Sequence, residues 1–419
     1  MYKDFIEFLK GSHSVFHCVK TVSDMLEDEG FCCFDPRHDK LLIGKDYYFV
    51  KNQSTVIAFR LPERLPTAMR IAASHCDCPG FKLKHGVMNN SANYAVLNTE
   101  RYGGVVLSSW MDIPLALAGR LIVQNNGLIS SELVDTDEGV CIIPSLAPHI
   151  KSDRNSLPDA SRDMFPLYSC DKNGSVMALL AEKAGVKLDS VLGADVYIYN
   201  AMEPTVWDGG RLISSRGLDD LMCVWSSLKG FLSSRGSDRI DMLCIFDNEE
   251  VGSGTKQGAD SDLISLLCSC IFEAYGMNEL EKLSLYSRSL AISADNAHAI
   301  HPNHPEANDG VDRPRLNGGL VLKFNANSRY TTDGVSSAAV KKLCLDNDIP
   351  LQYYSNRSDL AGGSTLGNLL YRHLPIDCAD VGIAQLSMHS SYETAGLKDL
   401  VYMSRFFGAF YESDINILF

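Results

Sequence analysis

Cys244-Ile245-Phe246-Asp247-Asn248-Glu249-Glu250-Val251-Gly252-Ser253 runs from an apolar strand directly into two adjacent carboxylates and a glycine turn. In a parallel α/β sheet, ligands and catalytic groups collect beyond the carboxyl ends of the strands. The stretch therefore predicts a sheet of that kind with a site at its edge. Neighbouring glutamates there can divide the work, one holding a metal while the other moves a proton. Taken alone, the pair could equally open a helix, whose N-terminal end favours carboxylates.

The other strand ends favour a site. Arg70-Ile71-Ala72-Ala73-Ser74 ends in His75-Cys76-Asp77-Cys78-Pro79, delivering a His and, two residues on, an Asp to the same side. Leu290-Ala291-Ile292-Ser293-Ala294 leads into Asp295-Asn296-Ala297-His298, and Val381-Gly382-Ile383-Ala384-Gln385-Leu386 leads into Ser387-Met388-His389-Ser390. Gly217-Leu218-Asp219-Asp220-Leu221 introduces a helical pattern. The candidate metal ligands are thus His75, Asp219, Glu250, Asp295 and His389. Imidazole and carboxylate without thiolate suit zinc, manganese or cobalt. A pair of ions about 3.5–4 Å apart needs one bridging carboxylate and roughly two further protein ligands each, a number these five residues supply.

The long interval between His75 and Asp219 predicts an insertion. Inside it, Ala95-Val96-Leu97, Gly104-Val105-Val106-Leu107, Arg120-Leu121-Ile122-Val123-Gln124 and Gly139-Val140-Cys141-Ile142-Ile143 are short β-rich runs with Asn-Asn-Gly and Asp-Glu-Gly turns. Residues 151 to 175 are polar and read as a long loop. Outside the interval, Phe5, Phe8, Leu9, Phe16, Val19, Val22, Met25 and Leu26 recur at helix spacing, as do Leu221, Cys223, Val224, Leu228 and Leu232. The expected architecture is a doubly wound α/β catalytic domain with a mixed sheet, residues 1–85 and 214–419, interrupted by a β-rich domain at 86–213.

With 419 residues, 45% of them apolar, the chain can bury a large core. A net charge of −14 argues against nucleic acid or an anionic membrane as partner. The sequence has neither an amino-terminal apolar signal region nor a run of about 18 apolar residues, so secretion and membrane spanning are not expected. Thirteen cysteines, an odd number, several of them in apolar strands, fit buried free thiols in a reducing cytoplasm.

Taken in order, the motifs resemble those of the M18 metalloaminopeptidases, the aspartyl aminopeptidase family, along nearly the whole chain. They are Ser74 to Pro79; Tyr102-Gly103-Gly104 with Trp110 and Ala118-Gly119-Arg120; Ile143-Pro144-Ser145-Leu146-Ala147-Pro148-His149; Leu218-Asp219; Asp247 to Ser253; Ser293 to Asn303; Val321-Leu322-Lys323-Phe324-Asn325; Arg329-Tyr330; Gly363-Ser364-Thr365; and Met388-His389-Ser390. The resemblance implies two metal ions, zinc foremost with manganese or cobalt as alternatives, held by His75, Asp219, Glu250, Asp295 and His389 with Asp219 as bridge. It implies Glu249 as general base and Asp77 behind His75, accepting its second ring N–H. It also implies Lys323 as the grip on an acidic substrate side chain, His149 reaching a neighbouring subunit's site, and Gly363 and Ser364 lining the pocket. The implied activity is removal of the amino-terminal residue, Asp or Glu, from peptides with a free amino terminus. The implied assembly has the inserted domain mediating dimers that close into a dodecamer.

The chain departs from the family pattern near its amino terminus, where Ser-Pro-Ser-Pro before an aromatic and His survives only as Ser12-His13-Ser14-Val15-Phe16-His17, and at three further places. Ile113 follows the Asp of Trp110-Met111-Asp112 where the family has Arg; Gly217 precedes Leu218-Asp219 where it has Arg; and Asp220 follows where it has Asn. These changes predict more negative surroundings and a weaker hold on acidic substrates. A preference for neutral amino-terminal residues is therefore an alternative, beside carboxypeptidase or deacylase chemistry on the same kind of centre and a non-enzymatic assembled shell.

Overall fold

The computed structural model describes residues 2–85, 92–151, 153, 156–236 and 238–414. Its principal sheet has nine strands, ordered Cys32–Cys33, Asp46–Lys51, Thr55–Arg60, Ile240–Phe246, Met69–His75, Leu290–Ala294, Asp377–Gly382, Leu320–Phe324 and Leu351–Ser355. The four strands from Ile240–Phe246 to Asp377–Gly382 run parallel, and antiparallel pairings flank them on both sides. Met69–His75, Ile240–Phe246 and Leu290–Ala294 are buried at every residue. Helices cover both faces, and for that reason these strands read as unbroken apolar runs without the alternation of a half-exposed sheet. Ala72, Leu243, Ile245 and Ile292 enter one core while Ile71, Ala73, Met242 and Cys244 enter the other.

The helical spacings resolve into Tyr2–Lys10, Val15–Asp28 and Leu218–Ser233. Ser14 caps the second of these, and Phe5, Phe8 and Leu9 of the first share a core with Phe16, Val19, Val22 and Leu26 of the second. Leu218–Ser233 is buried around most of its circumference, wedged between the sheet and helix Leu397–Glu412. A Cβ on Gly230 would stand 2.3 Å from Phe407 Cβ, so only glycine lets these two helices meet there.

A second, five-stranded antiparallel sheet is ordered Thr99–Tyr102, Gly80–Leu83, Val191–Asn200, Leu115–Asn125 and Leu128–Asp135. It has its own core around Phe81, Trp110, Leu117, Leu121 and Val196. Asn126 and Gly127 take positive φ, 49° and 80°, and close the Asn-Asn-Gly hairpin as a two-residue turn of that kind requires. Gly80–Leu83 belongs to this sheet although it precedes residue 85. Two of the four β-rich runs are not strands. Gly104 to Val106 is irregular backbone running into the 3-10 turn Leu107–Trp110, and 139–143 forms isolated bridges only. The first of these spends its polar groups on the loop carrying His389: Val106 N–H donates to His389 C=O at 3.1 Å, which leaves no ladder to join. Among the described residues of 151–175 the only strand is Leu167–Ser169.

A third sheet, ordered Thr205–Trp207, Leu212–Ser215, Glu393–Gly396, Ala384–Leu386 and Ala297–His298, brings the approaches to Asp219, Asp295 and His389 side by side.

Candidate metal centre

His75 is the last residue of its strand, and Asp295 follows directly on Leu290–Ala294, its N–H donating to Val381 C=O at 3.0 Å. Past Phe246 the chain turns at Asn248, φ 65°, into the single 3-10 turn Glu249–Val251. Asp77 caps that turn: its Oδ1 accepts Glu249 N–H at 3.0 Å and its Oδ2 accepts Glu250 N–H at 3.1 Å. Asp219 has extended backbone (φ −85°, ψ 108°) just before its helix takes regular form. His389 sits in a loop at φ 66°.

These five side chains converge. Ligand atoms of His75, Asp219 and Asp295 lie within 4.8 Å of one another, as do those of Asp219, Glu250 and His389, so the two sets share Asp219. His75 Nε2 is 3.6 Å from Asp219 Oδ1, His389 Nε2 is 3.8 Å from Asp219 Oδ2, and His389 Nε2 is 3.3 Å from Glu250 Oε2. Such separations are long for hydrogen bonds, but ligand atoms around a tetrahedral zinc with bonds of 2.0–2.1 Å stand about 3.3 Å apart. Asp219 Oδ1 is buried with no hydrogen-bond partner among the described residues. An orphaned carboxylate oxygen facing the His75 imidazole, with His389 on the other oxygen of the same carboxylate, is the arrangement a cation ligand needs, and the donor set fits a divalent ion.

The electrostatics agree. Burial, reinforced by Asp219, pushes Glu250 well above the usual carboxylate range. Burial also raises Asp295 and lifts Glu249 to about 8, with Asp295 and Asp77 adding to the latter. Asp219 is pushed upward by burial too, yet its contacts with His75 hold it below its ordinary value. Burial opposes charge on His75, but Asp219 and Asp77 outweigh it and raise the imidazole. Several carboxylates confined in one dry pocket strain against each other unless cations offset them.

The remaining expected residues fall in different places. The shorter contact of the His75 second ring N–H is to the backbone carbonyl of Asp77 at 3.0 Å; the carboxylate of Asp77 is 3.4 Å away and serves mainly as the cap. Lys323 is only 2% exposed. Its ammonium donates to Asn296 C=O at 2.8 Å and lies 3.5 Å from Asp295, which holds it protonated against the effect of burial. Gly363 and Ser364 are exposed in the loop before helix Gly367–His373. His149 is exposed in the loop beyond Ile143 and joins no contact of the cluster among the described residues.

Two departures acquire a physical account. Gly217 has φ 60° and faces Cys78 Sγ, a backbone that suits no arginine, while the neighbouring Arg216 turns its guanidinium to the carbonyls of Leu9 and Ser12. Burial, with Asp295 and Asp219 beside it, pushes Asp220 well above the carboxylate range. That direction works against the expected gain in negative charge. Ile113 packs on the second sheet's core.

Sequence reasoning missed Glu393, whose carboxylate accepts the N–H of Asp219 at 3.0 Å and that of His389 at 2.9 Å. It quoted Tyr102 without a role, yet the Tyr102 hydroxyl donates to Asp77 Oδ2 at 2.7 Å. Glu393 stands four residues after His389, which was the one available signal.

An imidazole–carboxylate centre at the strand ends of a mixed α/β sheet defines the class of metal-dependent hydrolases. The chain belongs to the M18 family: residues 8–411 match the profile of the aminopeptidase I zinc metalloproteases, exopeptidases that hydrolyse peptides. It is 35% identical over 425 residues to a probable M18 family aminopeptidase 2 of Clostridium novyi (strain NT), an alignment covering 97% of this chain and 98% of the relative. Its fold is similar to the crystal structure of prApe1, with a TM-score of 0.93 at 26% identity over 98% of this chain and 94% of that one. It is also similar to the mApe1 dodecamer of S. cerevisiae, with a TM-score of 0.86 at 25% identity over 98% and 96% of the two chains. Among the described residues no helix is long and apolar enough to cross a membrane.

Proposed function

We propose that the chain removes amino-terminal residues from peptides using two divalent ions, zinc foremost, shared through Asp219, with Glu249 as general base. The carrying observation is that two ligand sets meet at Asp219; Glu249, on one turn with Glu250, comes within the same reach of His75 and Glu250 but joins neither set that contains Asp219. His75 and Asp295 would hold one ion, Glu250 and His389 the other. When bound, such ions lower the pKa of a shared water and polarise a carbonyl. Glu249 accepts the proton of the attacking water and passes it to the leaving amine. Its carboxyl is pushed up to about 8, suiting a group that must both take and give a proton near neutrality. Asp77 fixes the turn that aims it.

Lys323 supports a preference for Asp or Glu, since a fixed positive charge flanks the Asp295 side of the centre. One observation favours the neutral-residue reading: Lys323 is nearly inaccessible and already paired. We assign the β-rich segment 86–213, with Gly80–Leu83 paired to it, to dimer formation. The exposed Leu128 and Ile129 at its hairpin support this, as does the similarity to an assembly that is a dodecamer. His149 would then approach a neighbouring subunit's centre, and Gly363 and Ser364 would line the pocket. Thirteen free cysteines suit a cytoplasmic setting.

The test is a panel of amino-acid anilides with free and blocked amino groups, run before and after chelation and zinc restoration. Cleavage of free substrates alone, lost on chelation and regained with metal, is the expected result. Cleavage of blocked substrates would sink the aminopeptidase reading in favour of a deacylase or carboxypeptidase.

A further inference from the structure

His75 and Asp295 are held within the nine-stranded sheet, but the Glu249–Glu250 turn and His389 are not. The backbone that completes them comes from the end of strand Thr99–Tyr102 in the antiparallel sheet. The Tyr102 hydroxyl donates to Asp77 Oδ2 at 2.7 Å and accepts from Asn248 Nδ2 at 3.0 Å, so it ties the cap of the turn to the residue that opens it. The Tyr102 ring meets Tyr197 of the same sheet edge-on, 5.5 Å between centroids. Two residues later Gly104 C=O accepts from His389 Nδ1–H at 2.9 Å, leaving Nε2 as the nitrogen that faces Asp219 and Glu250.

The glycines are what permit this approach. A Cβ on Gly104 would lie 3.0 Å from His389 Nδ1, and one on Gly103, which has φ +72°, would lie 3.2 Å from Glu250 Cβ. His389 needs such support: its side chain is 31% exposed, whereas that of His75 is 1% exposed.

We propose that Tyr102-Gly103-Gly104 is a positioning element through which the antiparallel sheet orients one half of the catalytic centre. Tyr102 acts through Asp77 on Glu249, and Gly104 acts directly on the ring of His389. The inference rests on the metal-dependent function proposed above. It makes the two halves of the centre unequal: the Glu250–His389 half takes direct support from the antiparallel sheet, whereas the His75–Asp295 half meets that sheet only through Asp77, whose carbonyl accepts the His75 ring N–H.

The experiment compares wild type, Tyr102→Phe and Gly104→Ala for zinc per chain and zinc affinity by titration against a chelator, for kcat and KM on a free amino-terminal substrate, and for Tm. Groups that orient metal ligands or catalytic residues typically change affinity or activity by about 10–100-fold when altered. Tyr102→Phe should keep its zinc and its KM, keep Tm near wild type, and lose about tenfold or more in kcat. Gly104→Ala should weaken one of the zinc-binding steps by about tenfold or more and leave the other unchanged. A purely structural role would lower Tm and spare kcat in the folded protein. Should Tyr102→Phe not fold, Asn248→Ala removes the other partner of the hydroxyl and should reproduce the fall in kcat. Wild-type kcat and wild-type zinc binding in both variants overturn this inference alone, whereas wild type that binds no zinc or cleaves no substrate overturns the function beneath it.

Discussion

Glu393 holds Asp219 by its backbone: the carboxylate accepts the Asp219 N–H at 3.0 Å and, through its other oxygen, the His389 N–H at 2.9 Å. One buried side chain thus fixes the spacing of two ligand-bearing segments that are far apart in sequence. Glu393→Ala leaves both N–H groups without their partner, at about 1–3 kcal/mol for each one that stays buried and unsatisfied. Lower Tm together with reduced zinc per chain is expected. Unaltered zinc content in the folded variant would show that the backbone contacts do not set the site.

Glu249→Gln preserves the shape of the turn and removes the base. General acid–base groups contribute roughly 10²–10⁴-fold, and kcat should fall by that factor while zinc content and Tm stay near wild type. Metal analysis decides the assignment, because loss of an ion in this variant would make Glu249 a ligand.

Lys323 separates the two substrate readings. If its ammonium reaches the substrate carboxylate, Lys323→Ala should cut kcat/KM on amino-terminal Asp or Glu by roughly 30-fold or more, the rate equivalent of about 2–5 kcal/mol, with a much smaller effect on Leu or Ala. Equal losses on both classes would mean that the Lys323–Asp295 pair serves the centre itself.

Asp241 makes stability depend on pH. It is fully buried, neither carboxylate oxygen has a hydrogen-bond partner among the described residues, and burial lifts its pKa from 3.8 to about 7 against the pull of Arg239, Arg60 and Arg70. The folded value is raised, so the protonated acid is the form that folding favours. Its contribution is complete below pH 3.8 and is lost as pH rises through about 7. A shift of about 3 units is worth about 4 kcal/mol. Asp241→Asn should therefore raise Tm relative to wild type at pH 8, by less as pH falls, and match it only below pH 3.8, as read by thermal melts across that range. A difference in Tm that does not vary with pH would remove Asp241 as the titrating group.

The local chemistry was legible before the fold. Cys244 to Ser253 announced a strand that ends in carboxylates because a strand buried on both faces must be apolar throughout, and it was the matching polar breaks at the other strand ends that favoured a site over a helix start. The same logic located His75, Asp295 and His389, and helix spacing located the segments around Phe16 and Leu228. The run Gly104 to Leu107 misled for a physical reason. Val105 and Val106 carry β propensity, but strand formation needs a neighbour to complete the ladder, and here the neighbour is the His389 loop.

What the residues determined by themselves was therefore which side chains could bind a cation or move a proton, since donor chemistry and the apolar pattern of a doubly covered sheet are properties of short stretches. Only the tertiary structure decided that Asp219 stands between two ligand sets, that Asp77 caps the Glu249 turn more than it braces His75, that Asp220 is pushed toward its neutral form, and that Lys323 is sealed beside Asp295. Each of these depends on burial and on approaches of a few ångströms between segments distant in sequence. Such distances are set by how sheets and helices pack, which no local pattern encodes.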